Sequence, residues 1–263
     1  MRIKSGFTRI AGVLAPALLV AASCREPMAP AVSLVPVTVA ADSSALRVLF
    51  VGNSLTFYND LPTRTAEIAE RDSTLRFPNI QSVTAPGQTL LGHWLAGQVQ
   101  PLIQGSHWDY VVLQEQSSAI LNAPDTTEAV VRRFNALAKA AGARTVLYVT
   151  WTPLNASTLQ DSVTRNYEGI ASRVGTLIAP LGIAWQRALL ADSTLPLYAD
   201  DIHPTPEGTY LLACTMFATL YRHSPVGLAG LVALGDSVMT LDSATAALLQ
   251  NIAWQFTQPY LPH

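Results

Sequence analysis

Charged residues and cysteines are scarce in this sequence, and both shortages limit what the protein can be. Charged side chains make up 13% of the 263 residues, about half the share of an ordinary soluble protein. Hydrophobic residues make up 49%, so the chain can bury a large core and is not a disordered protein. The only cysteines are Cys24 and Cys214, which are too few for a fold held by disulfides.

Several kinds of binding site are also missing. The net charge is −2 and no basic stripe is present, so we expect no nucleic-acid partner. The histidines lack the spacing of metal ligands, and the sequence contains no His-Glu-x-x-His motif, P-loop or Gly-x-Gly-x-x-Gly motif. We therefore expect neither a metal nor a cofactor.

The first 23 residues read as an export signal. Three basic residues, Arg2, Lys4 and Arg9, precede an apolar stretch that runs from Ile10 to Ala22. This stretch is too short to cross a bilayer comfortably, so it does not read as a transmembrane helix. We predict that residues 1–23 are a signal peptide.

Cys24 follows Ala21-Ala22-Ser23, which resembles a bacterial lipoprotein cleavage site where the cysteine becomes lipidated. Residues 24–45 are rich in Pro, Ala, Val and Ser, and read as the anchor cysteine and a flexible tether. We expect an exported lipoprotein of the outer membrane or cell surface that contacts the membrane only through this anchor. A periplasmic or secreted protein is the alternative.

Residues 46–263 are predicted to form one domain in which strands and helices alternate. Strands are expected at 46–51, 77–83, 110–113 and 145–149, with Ile183 and Ala184 beginning a short fifth strand. Helices are expected at 62–71, 90–103 with breaks, 125–141, 163–177, 206–221 and 241–256. Apolar strands separated by helices predict an α/β fold, a three-layer α/β/α sandwich around a parallel five-stranded sheet.

Two short segments contain the residues of a nucleophilic site. Ser54 follows the first apolar strand, and Asp200 precedes His203 by three residues in Asp-Asp-Ile-His-Pro. A serine needs a base to remove its proton, and the base needs a carboxylate to orient it. The spacing favours Asp200 over its neighbour Asp201 for this orienting role, because one tight turn returns the carboxylate to the ring.

These two segments resemble the first and last sequence blocks of the SGNH (GDSL-type) hydrolase superfamily. Gly-Asn-Ser-Leu-Thr at 52–56 is similar to the first block, with Asn53 where Asp is commonest. The Asp-x-x-His-Pro segment at 200–204 is similar to the last block. The resemblance implies a flavodoxin-like sheet and a catalytic triad of Ser54 as nucleophile, His203 as base and Asp200 as its orienting acid.

The resemblance also implies three donors for a tetrahedral oxyanion: the backbone N–H of Ser54, a glycine N–H after the second strand, and a side-chain amide after the third. Gly87 is the natural glycine, although it could be an ordinary turn residue. The superfamily's usual Gly-x-Asn-Asp block is absent, and Gln-Glu-Gln stands at 114–116. This resembles the branch with glutamine in place of the usual asparagine. We favour Gln114, at the strand end, over Gln116.

Two further residues are candidates for substrate binding. Asn53 would brace the nucleophile turn through its own side chain, or it would be a turn residue that tolerates unusual backbone angles. Trp151 follows the fourth strand and would suit a sugar ring, or it would serve packing.

The predicted function is an exported serine esterase that removes small acyl groups, most simply acetyl, from a small-molecule or carbohydrate ester. A lipase or lysophospholipase with the same triad is the first alternative. A non-catalytic surface lipoprotein that binds glycans is the second, and it should carry a broken triad, which this sequence does not have.

Overall fold

A parallel five-stranded sheet organises the domain, with strand order β2-β1-β3-β4-β5. Val48 of β1, for example, lies opposite both Ile80 of β2 and Tyr110 of β3. The strands are β1 Ala45–Gly52, β2 Phe77–Thr84, β3 Tyr110–Gln114, β4 Arg144–Tyr148 and β5 Leu177–Ala179.

The computed structural model describes residues 45–234 and 237–262. The predicted signal peptide, Cys24 and nearly all of the tether lie outside these ranges and stay predictions. Within the described ranges, no helix has both the length and the apolar character needed to cross a membrane.

Ten helices within the described residues cover the sheet on both faces. They are α1 Ser54–Phe57, α2 Leu61–Ala69, α3 Leu90–Ala96, α4 Val99–Gly105, α5 Ala119–Asn122, α6 Pro124–Ala140, α7 Gln160–Val174, α8 Leu181–Ala191, α9 Pro206–Tyr221 and α10 Ser243–Thr257. The predicted three-layer α/β/α architecture is therefore confirmed.

Alternation along each strand produces two separate cores. Phe50 and Val112 contribute to the core beneath α2, α8, α9 and α10. Their neighbours Leu49 and Val111 contribute to the opposite core, beneath α3 to α7. Strands buried on both faces read as continuous apolar runs, which is why β1, β3 and β4 were recognisable in the sequence.

The predicted fifth strand was wrong. Ile183 and Ala184 lie in α8, and β5 occupies Leu177–Ala179. Gly175 ends α7 in the left-handed conformation, with φ 73°, so the chain leaves the helix before the predicted boundary at residue 177. In the sequence, the short β5 looks like the end of the preceding helix, because three apolar residues are too few to show the alternation of a strand.

A two-stranded antiparallel hairpin between α9 and α10 was not predicted. Its strands are β6 Leu231–Leu234 and β7 Ser237–Thr240. Asp242 then caps α10 by accepting hydrogen bonds from the backbone N–H groups of Ala244 and Thr245.

Candidate active site

Ser54 begins the short helix that follows β1. Asn53 caps this helix, because its Oδ1 accepts a hydrogen bond from the backbone N–H of Leu55 at 3.1 Å. Ser54 remains partly exposed at the carboxyl edge of the sheet, whereas both of its neighbours are buried. Reactive groups of open parallel α/β folds collect at this edge.

His203 lies in a tight turn that Asp200 organises. Asp200 Oδ1 accepts hydrogen bonds from the backbone N–H groups of Ile202 at 2.8 Å and His203 at 2.7 Å. Its other oxygen, Oδ2, lies 2.8 Å from His203 Nδ1. One carboxylate therefore shapes the turn and orients the ring that the turn presents.

The structure places the three side chains in one hydrogen-bonded chain. His203 Nε2 lies 2.9 Å from Ser54 Oγ, across 149 residues of sequence. Because Nδ1 faces a carboxylate, it carries the ring proton, and Nε2 is left to accept a proton from the serine hydroxyl. This arrangement fits nucleophilic catalysis, in which a base activates the hydroxyl.

Asp200 is ionised over the whole physiological range. The backbone N–H groups of His203 and Ile202, and then the His203 ring, lower the pKa of this carboxyl to about 2. Its folded-state pKa lies below its ordinary value, so the bonds to the carboxylate contribute stability above that value and lose it as the pH falls towards 2. Asp201, the neighbouring acid, has no bond to the ring among the described residues.

Trp151 supports the turn that contains Asp200 and His203. Its predicted role in substrate binding is contradicted. Its side chain is fully buried and stacks on Trp185, with ring centroids 4.6 Å apart. Its indole N–H donates to the carbonyl of Ile202 at 2.8 Å. The packing role that the sequence left open is the correct one.

The prediction that Gln114 is the amide donor of the oxyanion site was wrong. Gln114 is fully buried, and its Oε1 accepts hydrogen bonds from the backbone N–H of Asn53 at 2.7 Å and from Thr56 Oγ1 at 2.9 Å. Its Nε2 donates to the carbonyl of Glu115 at 2.6 Å. Gln114 therefore supports the nucleophile turn from beneath and presents no amide to a substrate.

Gly52 makes this support possible. A Cβ atom at residue 52 would lie 2.5 Å from both Gln114 Oε1 and Thr56 Oγ1. No such contact is tolerated, so any larger residue would displace the carboxamide that holds the backbone of Asn53.

Asn53 braces the nucleophile turn and is not available to a substrate. It is 2% exposed, and its Nδ2 donates to the carbonyl of Gln88 at 3.0 Å. The same side chain therefore caps the helix of Ser54 and holds the loop after β2. The predicted substrate-binding role is contradicted, and the bracing role is the correct one.

Gly87 lies in that loop. Its φ of 63° belongs to the left-handed region, and the backbone N–H of Gln88 bonds to the carbonyl of Ala85 at 3.2 Å. This is a tight turn with proline before glycine. The bond from Asn53 to Gln88 places the turn beside the nucleophile.

Gln116 remains as the amide at this edge. Its Oε1 accepts hydrogen bonds from the backbone N–H groups of Ser118 at 2.8 Å and Ala119 at 2.9 Å. Gln116 is only partly buried, and within the described residues its Nε2 has no hydrogen-bond partner. The carboxamide is thus held by its oxygen while its NH₂ group is left to donate.

Glu115 was not recognised from the sequence. It is 2% exposed, and its Oε1 accepts hydrogen bonds from the backbone N–H groups of Leu90 at 3.0 Å and Gln116 at 2.7 Å. Burial raises the pKa of this carboxyl. Glu115 therefore ties the loop after β2, which contains Gly87, to the loop after β3, which contains Gln116. A glutamate between two glutamines at a strand end was the available signal.

His93 is a second buried polar group that supports the site. Its Nε2 lies 2.7 Å from the carbonyl oxygen of Gly52, at the end of β1. Burial lowers the pKa of this imidazole. Because a carbonyl oxygen can only accept, Nε2 carries a proton and donates it to the carbonyl. Among the described residues, no group of three or more His, Cys, Asp or Glu side chains could hold a metal ion.

The removal of Gln114 should weaken the fold and the nucleophile turn together. Gln114→Ala leaves the buried N–H of Asn53 without an acceptor, which costs roughly 1–3 kcal/mol. We expect its free energy of unfolding in urea to fall by about that amount. Gln104→Ala, an exposed glutamine on α4, is the matched control and should stay within about 0.5 kcal/mol of the parent. Equal stability of the two variants would contradict the supporting role.

Comparison with known proteins agrees with the fold. No family model matches the chain, and no curated protein matches it. A protein from Slackia heliotrinireducens, assigned as an SGNH hydrolase, is 28% identical; the match covers 66% of this chain and 97% of that chain, with a TM-score of 0.57.

Two further solved structures have the same fold at lower identity. One is a variant of Axe2, an acetyl-xylooligosaccharide esterase from Geobacillus, with 16% identity, 66% and 93% coverage of the two chains, and a TM-score of 0.55. The other is a protein from Parabacteroides merdae assigned as a GDSL-like lipase, with 15% identity, 64% and 92% coverage, and a TM-score of 0.51. The resemblance to the SGNH (GDSL-type) hydrolases is therefore confirmed.

Proposed function

We propose that this protein is an exported serine esterase that removes small acyl groups, most simply acetyl, from a small-molecule or carbohydrate alcohol. The observation that carries the proposal is the chain from Ser54 Oγ through His203 to Asp200, with separations of 2.9 and 2.8 Å. These are the nucleophile, base and orienting acid of acyl transfer.

The reaction would proceed in two steps. His203 Nε2 takes the proton of Ser54 as Oγ attacks the ester carbonyl, and the resulting tetrahedral intermediate expels the alcohol, which receives that proton. A water molecule, deprotonated by His203, then attacks the acyl-enzyme and releases the acid and free Ser54. Asp200 stays ionised throughout and stabilises the imidazolium of each step.

The oxyanion of each tetrahedral intermediate needs donors that are fixed in advance. We assign them to the backbone N–H groups of Ser54 and Gly87 and to the side-chain NH₂ of Gln116. The partly exposed position of Gln116 supports this assignment, as does the bonding of its carboxamide through oxygen alone. Glu115 supports it too, because it joins the loops that contain the second and third donors.

Two observations bear on the preference for a small acyl group over a long chain. The acetyl-xylooligosaccharide esterase has this fold, and so does the protein assigned as a lipase. An apolar cavity of about 390 Å³ lies between α8 and the turn at 154–159, but its lining includes neither Ser54 nor His203. That cavity therefore does not give a long acyl chain a channel at the nucleophile.

Export and lipid attachment at Cys24 complete the proposal. They are supported by the basic and apolar segments of residues 1–23 and by the small residues before the cysteine. An acetylated polysaccharide is a substrate that an enzyme on the outside of a cell can reach.

A fluorophosphonate probe tests the nucleophile without knowledge of the substrate. Such a probe should add once to the folded domain, from about residue 41, and intact-mass analysis should find no adduct on Ser54→Ala. Ser193→Ala, which removes an exposed serine, should label like the parent. The unlabelled parent should hydrolyse p-nitrophenyl acetate faster than p-nitrophenyl dodecanoate. The reverse order would favour the lipase, and a folded parent without adduct or turnover would favour the glycan-binding alternative.

The two neighbouring aspartates provide a matched test of the orienting acid. Asp200→Asn removes the charge opposite Nδ1 and favours the wrong ring tautomer, so we expect kcat to fall by about 10³–10⁴-fold. Asp201→Asn makes the same chemical change one residue away and should stay within about threefold of the parent, as expected for a surface change without a partner in the triad. Equal losses in the two variants would contradict the assignment of Asp200.

The oxyanion assignment is tested by two changes at one position. Gln116→Glu keeps an oxygen that can cap α5 but has no NH₂, so kcat should fall by about 10²–10³-fold while KM changes little. Gln116→Ala should lose a similar factor in kcat and also some stability, because the cap is gone. Parent-like turnover in Gln116→Glu, measured on p-nitrophenyl acetate, would refute the role of this amide.

A further inference from the structure

Tyr58 covers one face of the His203 ring. The two ring centroids are 4.5 Å apart and the ring planes are inclined by 19°, so the rings are stacked. Tyr58 follows Ser54 by four residues and begins the 3₁₀ turn Tyr58–Asp60 that leads into α2. The segment that presents the nucleophile therefore also presents an aromatic face to the base.

This turn is attached to the chain that follows His203. Asn59 Nδ2 donates hydrogen bonds to the carbonyl of Pro204 at 2.9 Å and to Thr209 Oγ1 at 3.0 Å. Asn59 and Asp60 both adopt left-handed backbone angles, with φ of 52° and 53°. Asparagine tolerates this region better than most residues, but two such residues in succession still cost free energy. The contacts with Pro204 and Thr209 hold the turn in that conformation.

Both nitrogens and one face of the imidazole then have a defined neighbour. Asp200 lies at Nδ1, Ser54 lies at Nε2, and Tyr58 lies against the ring face. Two more carboxylates stand in the same turns: Asp201 next to Asp200, and Asp60, which is 4.0 Å from Arg64. The face of the Tyr58 ring carries negative charge density and attracts a cation, so it stabilises a protonated imidazole. A neutral imidazole gains only the stacking contact.

We propose that Tyr58 is a positioning residue, which holds His203 between Ser54 and Asp200 and stabilises the protonated ring that forms when the base takes the proton of the serine. The proposal rests on the proposed esterase function for its kinetic consequence only. The stacking should act on the ring whether or not the protein turns over an ester.

Two replacements of Tyr58 distinguish the contribution of its ring face from that of its phenol hydroxyl. Tyr58→Phe keeps an aromatic face, whereas Tyr58→Leu keeps an apolar side chain without one. In an NMR titration of the imidazoles, we expect the His203 midpoint of Tyr58→Leu to lie about half a pH unit below that of the parent. Tyr58→Phe should stay within about 0.2 units, since a phenyl ring keeps the same face.

Two additional variants make the titration specific. The chain has five histidines, so the spectrum of His203→Gln identifies the resonance that is lost. Phe57→Leu removes a neighbouring aromatic ring that is 39% exposed and has no stacking contact with His203 among the described residues. Its His203 midpoint should match that of the parent.

Kinetics give an independent measurement. Because a misplaced base slows proton transfer without changing substrate contacts, Tyr58→Leu should lower kcat about tenfold or more with little change in KM. The acid limb of its kcat/KM profile should move in the same direction as the NMR midpoint. Tyr58→Phe should keep kcat within about twofold of the parent value, because phenylalanine keeps the aromatic face.

Asn59→Gly tests the attachment of the turn and serves if Tyr58→Leu does not fold. Glycine accepts the left-handed backbone, so this variant removes only the carboxamide that reaches Pro204. It should shift the His203 midpoint downward as Tyr58→Leu does.

Three results would overturn the proposal: an unchanged midpoint in Tyr58→Leu, an equal shift in Tyr58→Phe, or an equal shift in Phe57→Leu. If neither the parent nor any variant hydrolyses an ester, the proposed function fails. The NMR titration still decides the role of Tyr58 in that case.

Discussion

The hydrogen bond from the backbone N–H of Asn53 to Gln114 Oε1 is the contact on which the nucleophile depends. It is buried and 2.7 Å long, and it fixes the chain where β1 ends, one residue before Ser54. Gly52 leaves the space for this carboxamide, and Thr56 gives it a second donor. A buried N–H without an acceptor costs more than the bond itself contributes, so any conformation of the turn that breaks this bond is disfavoured.

Other contacts hold the turn that presents His203. The turn of His203 is held by Trp151, whose indole donates to Ile202, and by Asn59, which bonds to the carbonyl of Pro204. Neither contact involves Gln114. The site is therefore the meeting point of two turns with different supports, linked to each other by Asn59, and the Ser54–His203 bond forms where they meet. Rigid supports of this kind place reacting groups within hydrogen-bonding distance before a substrate arrives.

The sequence was most informative where a local pattern has one structural solution. The apolar runs predicted four of the five strands, and the spacing of Asp200 and His203 indicated a turn that returns a carboxylate to a ring. It was least informative for β5, because the Gly175 that ends α7 looked like an interruption within a longer helix. Trp151 and Asn53 were placed at the right edge of the sheet, but their burial depends on tertiary contacts that no local pattern contains.

The choice between Gln114 and Gln116 illustrates that limit. Residues two apart in a strand face the same side, so alternation assigns both glutamines to one face and cannot separate them. The difference between the two glutamines comes from the neighbouring strand. Because Gly52 has no side chain, the Gln114 carboxamide fits beside it and is buried there. Gln116 lies beyond the strand end, where its oxygen caps α5 and its NH₂ has no hydrogen-bond partner among the residues that the structure describes. A glycine at the end of the adjacent strand is thus the sign that the first of the two amides is a support.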